Sequence, residues 1–173
     1  MVKVKLGISS CLLGAYVRYD GGHKLNGSLK EALGAFVEYV PVCPEVECGL
    51  GVPRESMRLE GDASNPRLVT TGSNLDRTDL LLNWANKRLP ELAAENLCGF
   101  VFKRNSPSCG MRHIKVYNEK GMTTETGVGI FTRIFIKCFP ELPVEDEGRL
   151  QDPMLREIFI ERIFGVEKVD VRY

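Results

Sequence analysis

The sequence predicts an α/β fold of three layers, in which helices flank a mostly parallel central sheet and a small hairpin or edge strand lies beside it. Three observations lead there. Short apolar, β-rich runs alternate with segments of helical period in the order β-α-β-α-β-α. Three of those runs lead into loops that carry a single cysteine: KLGISSC, EYVPVC and the longer CGFVFKRNSPSC. The 173 residues are 43% hydrophobic and 27% charged, which fits a single domain over 1–173 with a real core.

Taken in order, residues 3–9 alternate and form the first strand, which leads into SSCLLG. The stretch AYVRYDGGHKLNG is turn-rich, with Asp20-Gly21-Gly22 its strongest signal. Ser28 is placed to cap a short helix over 29–36, with Glu31 at the reciprocal position and Gly34 weakening it. FVEYVPVC is a second, buried strand. The long segment from Pro44 to Asn74 is rich in Gly, Pro and charge. A loop of that length implies a function, and a strand or hairpin is expected near PRLVT. Asn74 or Asp76 caps the clearest helix, about 77–95, where Leu80, Trp84, Leu89 and Leu92 recur near the helical period. Pro90 is expected to kink or break it. LCGFVFKR is the third strand, followed by the loop NSPSCG, and HIKVY with TTETG forms the hairpin. Gly127-Val128-Gly129 opens a helix over about 129–138; such a terminus can hold an anion, although most serve packing. The tail, about 143–173, is a helical extension broken at Asp152-Pro153, with Asp152 as N-cap and Pro153 at the first helical position.

Charge and composition narrow the function. Lys plus Arg equals Asp plus Glu at 23 each, so no global field draws the chain to nucleic acid. No apolar run approaches the ~20 residues of a membrane helix. The opening MVKVKLGIS reads as a strand rather than a signal peptide, so the expected compartment is the reducing cytoplasm. The six cysteines are then not expected to form structural disulfides. Cys98 and Cys138 stand in apolar surroundings and read as small core hydrophobes. Cys11, Cys43, Cys48 and Cys109 stand beside Gly, Pro and Ser in loops.

If the three cysteine-bearing runs are neighbouring parallel strands, their carboxyl ends meet at one edge of the sheet, where open α/β folds place active sites. Thiolates converging there suggest a soft-metal centre with one coordination position open. No Cys-x-x-Cys pair of the structural-zinc kind occurs, and widely separated single cysteines suit an iron–sulfur cube better. Glu45, just past a strand end, could act as general acid or base, although a lone loop glutamate is more often only solvated. Ser106 and Ser108 flank Pro107; either could orient water or meet a substrate oxygen, or simply bond its own turn. Arg18, Asp20, His23 and Lys24 could bind a planar heterocycle or a phosphate.

SSCLLGAYVRYDGGHK, VCPEVECGLGVPRESMRL, KRNSPSCG and TGVGIFTR together resemble the DUF523 family, which includes thiouracil desulfidases, in order over roughly the first 140 residues. The tail resembles the stretch that joins longer members to a helical domain, DUF1722, in proteins similar to RNA desulfidases of thiolated uridine. The resemblance implies a [4Fe-4S] cluster held by Cys11, Cys43 and Cys109, with an open iron for the thiocarbonyl sulfur. It also implies Glu45 as acid/base for the attacking water, with Ser106 preferred to Ser108 as the assisting hydroxyl. The implied substrate is a thiolated pyrimidine or its nucleoside, or a thiolated tRNA, with a fused or missing helical domain as possible partner. Where the family commonly reads Gly-Gly-Leu this chain has Cys48-Gly49-Leu50, so Cys48 is an alternative ligand. Two other functions compete. One is an RNA-binding module stabilised by zinc or a cluster, gripping RNA through Arg18, Lys24, Arg54, Arg58, Lys103 and Arg104. The other is a metal-free thiol enzyme with Cys11 or Cys109 as nucleophile and His23 or His113 as base.

Overall fold

The computed structural model describes residues 2–166, so the end of the expected helical extension, 167–173, lies outside the described residues. Two four-stranded sheets organise the chain. The central sheet has the order β2-β1-β5-β8 and is parallel throughout; its strands are β1 (Val4–Ser9), β2 (Val37–Val42), β5 (Phe100–Phe102) and β8 (Val144–Asp146). The second sheet has the order β4-β3-β6-β7, from β3 (Met57–Glu60), β4 (Arg67–Thr70), β6 (Ile114–Tyr117) and β7 (Thr123–Gly127). The expected hairpin is present as β6 and β7, but it belongs to a larger sheet. The strand expected near PRLVT is β4, which pairs antiparallel with β3, and β3 runs parallel to β6.

Helices cover both faces of the central sheet. On one face Leu6, Ile8, Val37 and Val101 pack on Leu29 and Leu33 of α1 (Gly27–Gly34) and on Phe159 and Ile163 of α5 (Pro153–Gly165). On the other, Val42, Phe100 and Phe102 meet α3 (Thr78–Ala94), α4 (Ile130–Cys138) and the apolar face of the second sheet. Phe100, Phe102, Phe131 and Phe135 form an aromatic knot there, with Phe100 and Phe102 stacked at 4.3 Å. Among the described residues no helix is long and apolar enough to cross a membrane.

Several local expectations shift. The cap of α1 is Asn26, whose side chain accepts from Leu29 N–H, because the helix begins earlier than Ser28 would allow. In α3 the buried stripe runs through Leu81, Ala85, Leu89 and Leu92, while Leu80 is exposed. Pro90 removes one helix hydrogen bond, yet α3 continues to Ala94. Cys138, at the end of α4, is exposed rather than in the core, and Cys98 is half-buried against α5's side of the sheet. Asp152 and Pro153 open α5 as expected, the Asp152 carboxylate accepting from Met154 and Leu155 N–H.

Gly7 stands opposite Phe100 in the β1–β5 pairing, and a Cβ at Gly7 would overlap the Phe100 ring. Phe102 stacked behind that ring blocks its retreat. Gly7→Ala should therefore overpack the core by about 1–3 kcal/mol. In a chain of this size that lowers Tm by about 2–4 °C per kcal/mol, a shift thermal denaturation would read directly.

Candidate active site

Because β2, β1 and β5 are adjacent and parallel, the loops after them emerge at one edge of the sheet. Cys11 lies in the 3-10 turn Ser10–Leu13 that follows β1, and Cys43 follows β2 directly. Cys109 lies in the loop between β5 and β6. All three line a single cavity of about 510 Å³, together with Ser9, Arg18, Lys24, Glu45, Arg54, Lys103, Arg104, Ser106 and Ser108.

Each cysteine loop is held by local chemistry. The Cys11 carbonyl accepts from Lys24 N–H at 2.9 Å, which folds the 14–24 loop over the cavity. Cys43 caps the short helix α2 (Pro44–Glu47), with Pro44 at its first position and the Glu47 carboxylate accepting from Cys43 N–H at 2.7 Å. Ser106 Oγ accepts from Cys109 N–H at 3.1 Å and Thr132 Oγ1 donates to the Cys109 carbonyl at 2.7 Å. The first N–H groups of α4 are spent on this loop: Ile130 on the Pro107 carbonyl and Phe131 on that of Ser108. The Gly129 junction is therefore a packing solution and not an anion site; a Cβ on Gly129 would lie 2.6 Å from the Ser108 backbone.

Burial dominates the electrostatics of the thiols. It pushes Cys11 up to about 11, and it raises Cys43 and Cys109 as well. The thiols raise one another as well: Cys43 acts on Cys11, and both act on Cys109. At neutral pH they stay protonated unless a cation compensates them. The Lys103 ammonium is the largest such influence on Cys11, followed among cations by Arg18. Lys103 is held by Glu147 at 2.5 Å and by the Arg104 carbonyl.

Glu45, expected as the acid/base, points into a closed set of partners. Its Oε1 accepts from Ser108 Oγ at 2.6 Å, and its Oε2 accepts from Arg54 Nε at 2.7 Å and meets Nη2 at 2.6 Å. Ser108 is 1% exposed and is the hydroxyl in direct contact with the carboxylate. Ser106, preferred from the sequence, stands one hydroxyl back, 3.2 Å from Ser108 Oγ. Arg18 and Lys24 line the cavity; Asp20 and His23 do not. Asp20 is spent on its own turn, accepting from Gly22 N–H at 2.9 Å, and that bond holds its carboxyl below the usual range. His23 Nδ1 accepts from Leu25 N–H at 3.0 Å. Neither His23 nor His113 reaches the cavity wall, so a thiol–imidazole pair is not formed there. Cys48 turns back on its own helix, its thiol 3.3 Å from the Glu45 carbonyl, and does not line the cavity. Of the residues that competed as RNA contacts, Arg58 is instead paired with Glu60 and stacked on Tyr117. The roles of Arg54 on Glu45 and of Glu147 on Lys103 have no local sequence signature, since each is a contact between separate loops.

Known proteins resemble this chain in sequence and in fold. YbbK of Bacillus subtilis (strain 168), an uncharacterized protein, is 32% identical over 108 residues, covering 60% of this chain and 71% of YbbK. The solved structure of a [4Fe-4S]-dependent thiouracil desulfidase, TudS (DUF523Vcz), is similar at a TM-score of 0.70 and 32% identity, over 90% of this chain and 99% of that one. Residues 6–147 match the family described as 2-thiouracil desulfurase, and the chain belongs to that family.

Proposed function

We propose that the protein is a desulfidase that hydrolyses the C–S bond of a thiolated pyrimidine at a [4Fe-4S] cluster held by Cys11, Cys43 and Cys109. The observation that carries this reading is that two buried thiols, a half-buried one and a carboxylate, brought together from three strand ends, line the same cavity. The donor set fits the cofactor. It is all sulfur, and neither histidine competes. Among the described residues, no three His, Cys, Asp or Glu side chains are grouped to hold a single metal ion. Single cysteines brought in from three separate loops suit a body several ångströms across. Cys48, directed away from the cavity, is not among the ligands in this reading.

Such a cluster, when bound with one iron open, supplies a soft Lewis acid suited to thiocarbonyl sulfur rather than carbonyl oxygen. The chain supplies the rest. Glu45 orients the attacking water and takes its proton at Oε1; the same proton later serves the departing sulfur. Ser108 fixes the carboxylate, and Ser106, through its bonds to Ser108 and Cys109 N–H, fixes Ser108. Lys103 and Arg18 offset the negative charge that thiolates and a departing hydrosulfide bring into a half-enclosed site. The balance is thiouracil plus water to uracil plus hydrogen sulfide, with no net electron transfer.

The test is anaerobic reconstitution with iron and sulfide, followed by incubation with 2-thiouracil and 4-thiouracil. The expected product is hydrogen sulfide in equal amount to uracil from at least one of them. Protein that loads zinc but no iron, or iron-loaded protein inert toward both, would remove the proposal.

A further inference from the structure

The sequence offers Arg54 only as an RNA contact in the competing reading, yet its side chain is only 7% exposed and lines the cavity. Its backbone N–H donates to the Tyr19 carbonyl at 2.9 Å, and its Nη1 donates to the Gly51 carbonyl at 2.9 Å. The guanidinium is thereby fixed between the loop after β1 and the loop after α2. From that position one edge of the guanidinium faces a single atom, Oε2 of Glu45: Nε donates to it at 2.7 Å and Nη2 lies 2.6 Å from it.

A carboxylate oxygen offers two lone-pair directions in its plane. The guanidinium edge takes one of these at Oε2, through Nε. At Oε1, Ser108 Oγ fills one. The direction of that bond is itself set. Ser106 Oγ accepts from Ser108 and Cys109 N–H, so its own hydrogen is free for Ser108 Oγ, and the Ser108 hydrogen is free for Glu45. Each oxygen keeps one direction open, and the one at Oε1 lies on the oxygen that the guanidinium does not hold. We propose that Arg54 is a positioning residue that holds the Glu45 carboxylate by Oε2 and so presents Oε1 to the attacking water. Without the guanidinium, Ser108 alone holds the carboxylate, which can then rotate and present either oxygen in several orientations. The inference rests on the desulfidase reading of Glu45.

The experiment compares wild type, Arg54→Ala, Arg54→Lys and Glu45→Ala. In metal-free protein labelled with ¹⁵N, one arginine Nε–H should be protected from solvent exchange, and the protection should vanish in Glu45→Ala. In reconstituted protein, Arg54→Ala should keep the wild-type iron content and visible spectrum. Its kcat for sulfide release should fall by about 10²-fold, the scale of an ångström-sized misplacement of a reacting group. KM should hardly change. Arg54→Lys, which keeps the charge but not the planar two-nitrogen edge, should fall between, and added guanidinium ion should recover part of the Arg54→Ala rate. An unchanged kcat in Arg54→Ala overturns the inference. So does a loss that follows iron content and resists guanidinium, which would make Arg54 a scaffold residue. Wild type that releases no sulfide at all fails the desulfidase reading instead, and the arginine protection is still read independently.

Discussion

Replacing Cys109 with alanine should abolish the iron–sulfur chromophore and sulfide release together. Cys109 is 5% exposed, and its loop is fixed by atoms the substitution leaves in place: its N–H on Ser106, its carbonyl on Thr132 and the Gly110 carbonyl on Gly129 N–H. Removing one sulfur from such a frame leaves a small void, a loss on the scale of a buried methylene or two, about 1–2 kcal/mol. The chain should therefore fold. What it loses is a third of its soft donors, and no other cysteine lines the cavity: Cys48 is turned toward the Glu45 carbonyl, Cys98 packs beside α5, and Cys138 is exposed at the end of α4. Iron determination and the visible spectrum after anaerobic reconstitution, with Cys138→Ala as a matched control, make the measurement. A Cys109→Ala protein that holds a full complement of iron and turns over thiouracil would place the cluster elsewhere.

The meeting of Cys11, Cys43 and Cys109 was legible because it depends on two short-range facts. Each cysteine lies in the loop that directly follows a strand, and parallel neighbouring strands end on the same side. The short helix α2 was legible only in part: Pro44 directly after Cys43, with Glu45 in the first turn, is a helix-start signal, but the helix is one turn long and sits in a segment that reads as loop. The partners of Glu45 were not legible. Arg54 is nine residues away in sequence and reaches Glu45 because its backbone is tied to Tyr19, a tertiary bond with no periodicity to betray it. Ser108 lies 63 residues from Glu45. The choice between Ser106 and Ser108 turns on which hydroxyl is consumed by the backbone of its own turn, and two serines flanking a proline carry no mark of that. Asp20 and His23 were attractive as substrate contacts for the same reason they are structural: short polar side chains beside glycines bond neighbouring N–H groups.

Glu45→Gln separates the chemistry from the cofactor. Glutamine has nearly the same shape, and its amide oxygen can still accept from Arg54 Nε and Nη2, which sit within 2.7 Å of Oε2. Its NH₂ group then faces Ser108 Oγ, which has only to turn its hydrogen away, toward Ser106 Oγ 3.2 Å from it. The guanidinium is not stranded, so the large penalty of an unpaired buried charge, about 3–5 kcal/mol, is avoided. It would be incurred in Glu45→Ala, where Arg54 keeps only the Gly51 carbonyl. Glu45→Gln should thus keep its Tm near wild type and load iron to the same extent. An amide cannot take a proton from water under these conditions, and kcat should fall by about 10²–10⁴-fold, the usual contribution of a positioned acid/base. KM should change little, since the substrate's sulfur and ring are not held by this side chain in the proposed mechanism. If iron loading and turnover fell in parallel, Glu45 would be acting on the cluster pocket rather than on water. If turnover persisted, the proton would have to be carried by another group, and Ser108, the only hydroxyl bonded to the Glu45 carboxylate among the described residues, would be the first to test.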